Sequence, residues 1–242
     1  MKRKICIVTG TRADWGLLSG IARELNSRED VCLQIVATNM HLSEKYGNTY
    51  QEIERDGLTI DRRVPMTVDT DSPVGTVTAM SECMAGMAKA FEELRPDLLL
   101  ILGDRYEMLA VASAALIFRI PIAHIAGGAV SQGAYDESIR HAITKMSHIH
   151  LTETEEYRRR VIQLGENPER VFNTGAIGIY NILHTDYMSR EELEESLGTP
   201  IPEKSLLITF HPATLDRIPP RQQCENLLAA LDEHPDYKVI FT

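Results

Sequence analysis

The sequence is poor in the features that mark a ready-made chemistry. Its four cysteines, Cys6, Cys32, Cys83 and Cys224, are scattered through 242 residues without a CxxC pair, so neither a zinc ribbon nor a dithiol redox motif is spelled out. They read as reduced, mostly buried thiols of a cytoplasmic protein. Lysine and arginine form no block, and 25 basic against 35 acidic side chains leave a formal charge of -10. Binding to a nucleic acid needs clustered positive charge, and no such partner is expected. No stretch approaches the ~20 apolar residues of a membrane span, and the apolar run after MKRK is only about five residues, short for a signal peptide. The chain therefore reads as soluble and unexported, with no membrane partner. GxGxxG, Walker, HExxH and GxSxG patterns are all missing, which leaves the usual dinucleotide, P-loop, helix-borne zinc and serine-elbow chemistries unsupported.

What is present is a globular composition, 43% hydrophobic, enough to bury a substantial core. Short β-branched runs alternate with longer helical patterns. The strand candidates are KICIVTG, CLQIVAT, DLLLILG, PIAHIAG, HIHLT, RVFNTG, SLLITF and YKVIFT, several of them apolar on both faces as buried parallel strands are. Helical patterns lie at 14–27, 72–94, 104–118, 136–147, 153–164, 176–185 and 219–234. This βαβ rhythm predicts an α/β fold with a Rossmann-like, doubly wound parallel sheet, seven-stranded over residues 1–185. The charged segment 186–204 holds a short helical pattern and ends in Gly-Thr-Pro-Ile-Pro, as a linker does. Residues 205–242 open a second strand-helix-strand series, expected to be the incomplete beginning of a second domain.

Ligands of such sheets bind beyond the carboxyl ends of the strands. Three ends carry polar side chains. In VTGTRADWGLL, Arg12 stands beside the free N–H groups of a helix expected to start near Trp15, a place suited to phosphate; Asp14 there is equally explained as a helix N-cap. In LGDRYEMLA, Asp104 is either an N-cap or a carboxylate shown to the cleft, with Arg105 beside it to hold an anion. The third end is HIAGGAVSQGAYDESIRHAITKMSHIH, residues 124 to 150, with four histidines, two carboxylates and a Gly-Gly break. Asp136 and Arg140 are four apart, as are Glu137 and His141, which an ordinary surface helix also uses. His124, His141, His148 and His150 lack zinc-ligand spacing and have no cysteine nearby, so no metal is expected.

Together VTGTRADWGLL, LGDRYEMLA, HIAGG...GAYDESIRHAITKMSHIH and ITFHPATLD resemble the hydrolysing UDP-N-acetylglucosamine 2-epimerases of sialic acid and related nonulosonate biosynthesis. The motifs follow that family's order and span nearly the whole chain. The TRADWG form, in place of a TRPE-type sequence, points to the hydrolysing branch. The resemblance implies a GT-B fold of two Rossmann-like domains facing across a cleft, with the second incomplete in this chain. It also implies a UDP-sugar partner, a dimer or tetramer, and no metal or other cofactor. UDP would leave by elimination through a glycal-like intermediate, and water would then release N-acetylmannosamine. Asp104, Asp136 and His211 match the family's acid/base positions; Arg12, Arg105, His124, Glu137, Arg140 and His141 match its substrate-binding pattern.

Two departures accompany the likeness. Where the family commonly carries acidic residues, as in HIEGGE, this chain has Ala126 and Ala129. Family members also continue into a complete second domain that binds most of the UDP, so weak or absent turnover is expected from these 242 residues alone. A GT-B glycosyltransferase and a catalytically silent sugar-nucleotide-binding domain are the alternatives.

Overall fold

The sheet is built outward from β1 (Arg3–Thr9), whose Cys6 and Val8 enter one apolar layer while Ile7 enters the opposite one. A strand buried on both faces belongs at the centre of a parallel sheet. The computed structural model describes residues 2–68, 72–212 and 216–242, so Ala213, Thr214 and Leu215 of ITFHPATLD lie outside the described residues. Around β1 stand β2 (Val31–Thr38), β3 (Arg62–Val64), β4 (Leu98–Leu102), β5 (Ile122–Ile125), β6 (Ile149–Thr152) and β7 (Val171–Asn173) in the order β3-β2-β1-β4-β5-β6-β7, with every pairing parallel.

Helices cover both faces. On one side α3 (Pro73–Leu94), α4 (Tyr106–Phe118) and α5 (Asp136–Met146) contribute Met87, Phe91, Val111, Ile139 and Ile143 to a core shared with Cys6, Val8 and Ile101. On the other, α1 (Arg12–Ser27), α2 (Tyr50–Arg55) and α7 (Ile177–Leu183) bring Trp15, Leu18, Ile53 and Ile177 against Ile7, Ile35 and Ile125. The helix α6 (Glu155–Gln163), capped by Thr154, precedes the edge strand β7. Among the described residues no helix is long and apolar enough to cross a membrane.

The structure adjusts several sequence expectations. The seventh strand, β3, is absent from the apolar runs because it is a three-residue edge carrying Arg62 and Arg63. It forms on the register offered by Val36–Thr38 and is fastened by Thr38 Oγ1 donating to the Val64 carbonyl at 2.7 Å. The first helix starts at Arg12 rather than near Trp15, and Asp14 is not its N-cap: Thr11 takes that place, its hydroxyl accepting the Asp14 N–H at 3.2 Å. All four cysteines are free, but only Cys6 and Cys83 are buried, while Cys32 is exposed and Cys224 half-buried.

The chain divides into two compact units, residues 1–130 with 136–183, and residues 131–135 with 184–242. Within the second lie α8 (Arg190–Leu197), β8 (Ser205–Ile208), α9 (Pro220–Asp232) and β9 (Lys238–Phe241). A capping box between Ser189 and Glu192 starts α8, and Gly198 ends it in the left-handed region at φ 65°. β8 and β9 pair in parallel, and none of these four elements contains a buried residue.

Candidate active site

β1 and β4 are neighbours from which the strand order runs outward in opposite directions. That makes the carboxyl ends of β1 and β4 the switch point where a crevice opens. There, Thr11, Arg12, Lys45, Tyr46 and Arg105 line a cavity of about 500 Å³. Three cations around the first turn of α1 favour an anionic ligand, since free N–H groups and the helix dipole add to their field. Behind the cavity His41 is fully buried, with Nε2 3.0 Å from Thr9 Oγ1 and Nδ1 2.9 Å from Thr49 Oγ1. Burial lowers its pKa to about 4, so it is neutral near pH 7.

Two carboxylates, Asp14 and Glu107, stand close enough to the Arg105 guanidinium of this cavity to act on its charge. Arg105 Nε donates to Glu107 Oε1 at 2.5 Å, and Glu107 is fully buried. Burial pushes the Asp14 carboxyl up, with Arg105 pulling it down and Glu107 adding to the rise. Among the described residues, neither Asp14 Oδ2 nor Glu107 Oε2 has a hydrogen-bond partner, although both atoms are buried.

At the ends of β4 and β5 a second group assembles. Asp104 does not cap α4, whose N-cap is Arg105 without a side-chain bond. Instead its carboxylate accepts from the guanidinium of Arg140, which is 5% exposed and also donates to the Ala129 carbonyl at 2.7 Å. His124 is fully buried, with Nε2 2.7 Å from the Gly103 carbonyl and Nδ1 3.3 Å from Thr144 Oγ1. A carbonyl can only accept, so Nε2 carries the proton. Burial lowers the His124 pKa to about 4. Both ring nitrogens are spent inside the protein, one of them on the residue before Asp104.

α5 starts with Asp136 and Glu137, and His141 Nε2 lies 3.7 Å from Glu137 Oε1. The loop leading to it is held tightly. Ala126 has φ 66°, and a Cβ on Gly128 would come within 2.5 Å of the Tyr157 carbonyl oxygen. Arg160 donates to the Gly128 carbonyl. The four histidines of this stretch thus do separate jobs. His124 is interior, His141 pairs on the helix, His148 Nδ1 accepts the Ile122 N–H at 3.3 Å, and His150 lies 3.2 Å from Glu166.

The structure therefore pairs Asp104 with Arg140 and Glu137 with His141, and sets Arg12 and Arg105 around one cavity; Asp136 opens the helix that carries Arg140 and His141. It does not bring in His124, and His211 stands exposed in the second unit, three residues past β8. Lys45, His41 and Glu107 were not expected at the site. Only Glu107 left a trace in the sequence, as the one charged residue in the 13-residue, otherwise largely apolar α4.

Comparison with known proteins gives a consistent picture. A family model described as UDP-N-acetylglucosamine 2-epimerase matches residues 23–242. The chain is 42% identical over 241 residues to the GDP/UDP-N,N'-diacetylbacillosamine 2-epimerase (hydrolyzing) of Campylobacter jejuni, covering 100% of this chain and 62% of that protein. It is 40% identical over 229 residues to polysialic acid biosynthesis protein P7 of Escherichia coli, covering 95% and 58%. It thus spans less than two thirds of the length of these relatives. Among solved structures, the Neisseria meningitidis UDP-GlcNAc 2-epimerase bound to UDP-GlcNAc superposes with a TM-score of 0.81 at 18% identity, over 98% of this chain and 65% of that one. The Methanocaldococcus jannaschii UDP-GlcNAc 2-epimerase in complex with UDP-GlcNAc and UDP gives a TM-score of 0.81 at 21% identity, over 99% and 65%.

Proposed function

Because this chain belongs to the UDP-N-acetylglucosamine 2-epimerase family, we propose that the whole protein is a hydrolysing 2-epimerase of a UDP-activated N-acylated amino sugar. The substrate is UDP-GlcNAc or a diacetamido-trideoxy analogue, and the pathway makes a sialic acid-like sugar. In the reaction a base removes the C2 proton, the C1–O bond to UDP breaks, and a C1=C2 double bond forms. Water then supplies hydroxyl to C1 while a proton returns to the opposite face of C2, giving the free 2-epimer and UDP. The observation that carries this reading is the Asp104–Arg140 pair next to a cation-lined cavity at the sheet's switch point. Asp104, in an ion pair, is suited to accept the proton or orient its acceptor. Asp136 and His211 are the further acid/base candidates; Arg12 and Arg105 meet the diphosphate, and Glu137, Arg140 and His141 position the sugar.

We assign residues 1–185 to the N-terminal domain, 186–204 to the linker and 205–242 to the opening of the nucleotide-binding domain; the division of contacts near residue 183 supports this. Self-association into a dimer or tetramer is supported by Leu116 and Ile117, exposed by 47% and 79% at the end of α4, and light scattering tests it. A cytoplasmic setting is supported by the free thiols, which stay reduced there. The activity itself is tested by incubating full-length protein with UDP-GlcNAc and with the diacetamido-trideoxy analogue, following the released sugar by NMR. Free N-acetylmannosamine or its analogue is expected. A product formed only when an acceptor is added would identify a glycosyltransferase instead.

A further inference from the structure

The conspicuous feature of the cavity is the carboxylate paired with its Arg105. Glu107 is fully buried in the first turn of α4, uses one carboxylate oxygen on Arg105 and leaves the other, also buried, without a partner among the described residues. A buried carboxylate oxygen without a partner is costly to folding, and the guanidinium that Glu107 meets is 31% exposed, so water can take over part of its solvation if the carboxylate is lost. Fold stability alone therefore does not account for a carboxylate at this position. The backbone is also shaped to admit it: a Cβ on Gly10 would lie 2.5 Å from Glu107 Oε1, so only glycine at the end of β1 lets the carboxylate come this close. Arg105, which Glu107 grips through Nε, lines the cavity beside the Tyr106 ring, 5.9 Å from its guanidinium carbon, and among the described residues its terminal amino groups donate no hydrogen bond.

We propose that Glu107 is a positioning residue: packed against Gly10, it fixes the Arg105 guanidinium with its two terminal amino groups presented to a diphosphate in the cavity. A guanidinium gripped at Nε keeps its forked face available for two phosphate oxygens, and a long side chain held in place loses less freedom when the anion arrives. The opposing effect is that Glu107 lowers the local positive charge. Pre-organisation wins here because Arg12 and Lys45 keep the cavity cationic.

The identification of the anion as diphosphate rests on the epimerase reading, and the test is kept independent of turnover. Binding of inorganic pyrophosphate to the 242-residue chain is measured by calorimetry, alongside Tm, for the unaltered protein and for Glu107→Met, Glu107→Gln and Gly10→Ala. The unaltered chain is expected to bind. Glu107→Met should weaken binding about tenfold, with Glu107→Gln intermediate because its amide oxygen still accepts from Arg105. Tm should change by less than about 5 °C in both, because Arg105 is partly exposed to water. Gly10→Ala, which crowds the carboxylate away while keeping every charge, should weaken binding as Glu107→Met does, and it decides the matter if the methionine variant does not fold. Failure of the unaltered chain to bind pyrophosphate overturns the proposal, as does unaltered affinity in Glu107→Met. In a methionine variant that folds, a loss of affinity accompanied by a fall in Tm of more than about 5 °C also overturns it, by assigning Glu107 to the fold. If pyrophosphate binding depends on Glu107 while the full-length protein releases no sugar from its UDP-sugar substrates, the epimerase reading fails and this one stands.

Discussion

Single residues set the terms of the site. Arg140 is 5% exposed and its charge is met by Asp104, itself 24% exposed. Removing the carboxylate from such a pair takes away the charge that meets a buried guanidinium, which typically costs about 3 kcal/mol. Asp104→Asn is accordingly expected to lower stability by about that amount, or ~6–12 °C in Tm for a chain of this size, and turnover in the full-length protein by about 10²-fold or more. Had Asp104 been an N-cap, Asn would have served equally well and neither quantity would move, so thermal melting and UDP release on one variant separate the two roles. His41 and His124 supply a second test. Both have folded pKa values near 4, below the ordinary 6.5, so between those values the unfolded chain binds more protons than the folded one. Stability is then fully present above about pH 6.5 and is lost as pH falls toward 4, by up to about 3 kcal/mol for each imidazole. His124→Gln retains a donor to the Gly103 carbonyl without a titrating ring. Its unfolding free energy should fall less steeply over pH 6.5 to 4 than that of the unaltered chain, and an identical slope would show that His124 is not the group that titrates.

At the scale of elements, the loop between β5 and α5 carries backbone strain. Ala126 sits at φ 66°, where a side chain is disfavoured, and Gly128 at φ 83° with the Tyr157 carbonyl oxygen against it. Ala126→Gly is expected to raise stability by about 1 kcal/mol and Tm by ~2–4 °C. Gly128→Ala is expected to do the reverse by more, because both backbone strain and a clash oppose it. Chemical denaturation of the two variants checks the signs. The same loop shows why motif reading finds a cluster of polar residues without its wiring. The string from His124 to His150 marked a place where polar groups gather, but a histidine in β5 and a histidine on α5 look alike in text. Their fates differ because His124 points into the sheet's packing while His141 stands on a half-exposed helix turn beside Glu137.

For the whole molecule, the uneven distribution of buried side chains predicts uneven unfolding. The first unit holds both apolar layers, whereas the helices and strands of residues 184–242 contain no buried residue. A unit with so little burial opens at lower free energy. The single tryptophan, Trp15, is 2% exposed in the first unit, with Nε1 donating to Asp56 at 2.8 Å, so its fluorescence reports that unit alone. In urea, far-UV circular dichroism should begin to fall before the Trp15 signal moves; superimposable transitions would show the chain to be one cooperative body.

Local pattern was sufficient for the parallel α/β fold, six of the seven strands of the main sheet, and the family likeness, and it marked three strand ends that carry polar side chains. Apolar runs and helical spacing are short-range signals, and burial on two faces writes itself into every strand. What only the tertiary structure decided were pairings across long stretches of chain. Asp104 meets Arg140 across 36 residues and His41 meets Thr9 across 32, while Gly10 gives room to Glu107 from a different strand end. Such contacts depend on which strands become neighbours at the switch point, and no periodicity within either segment carries that information.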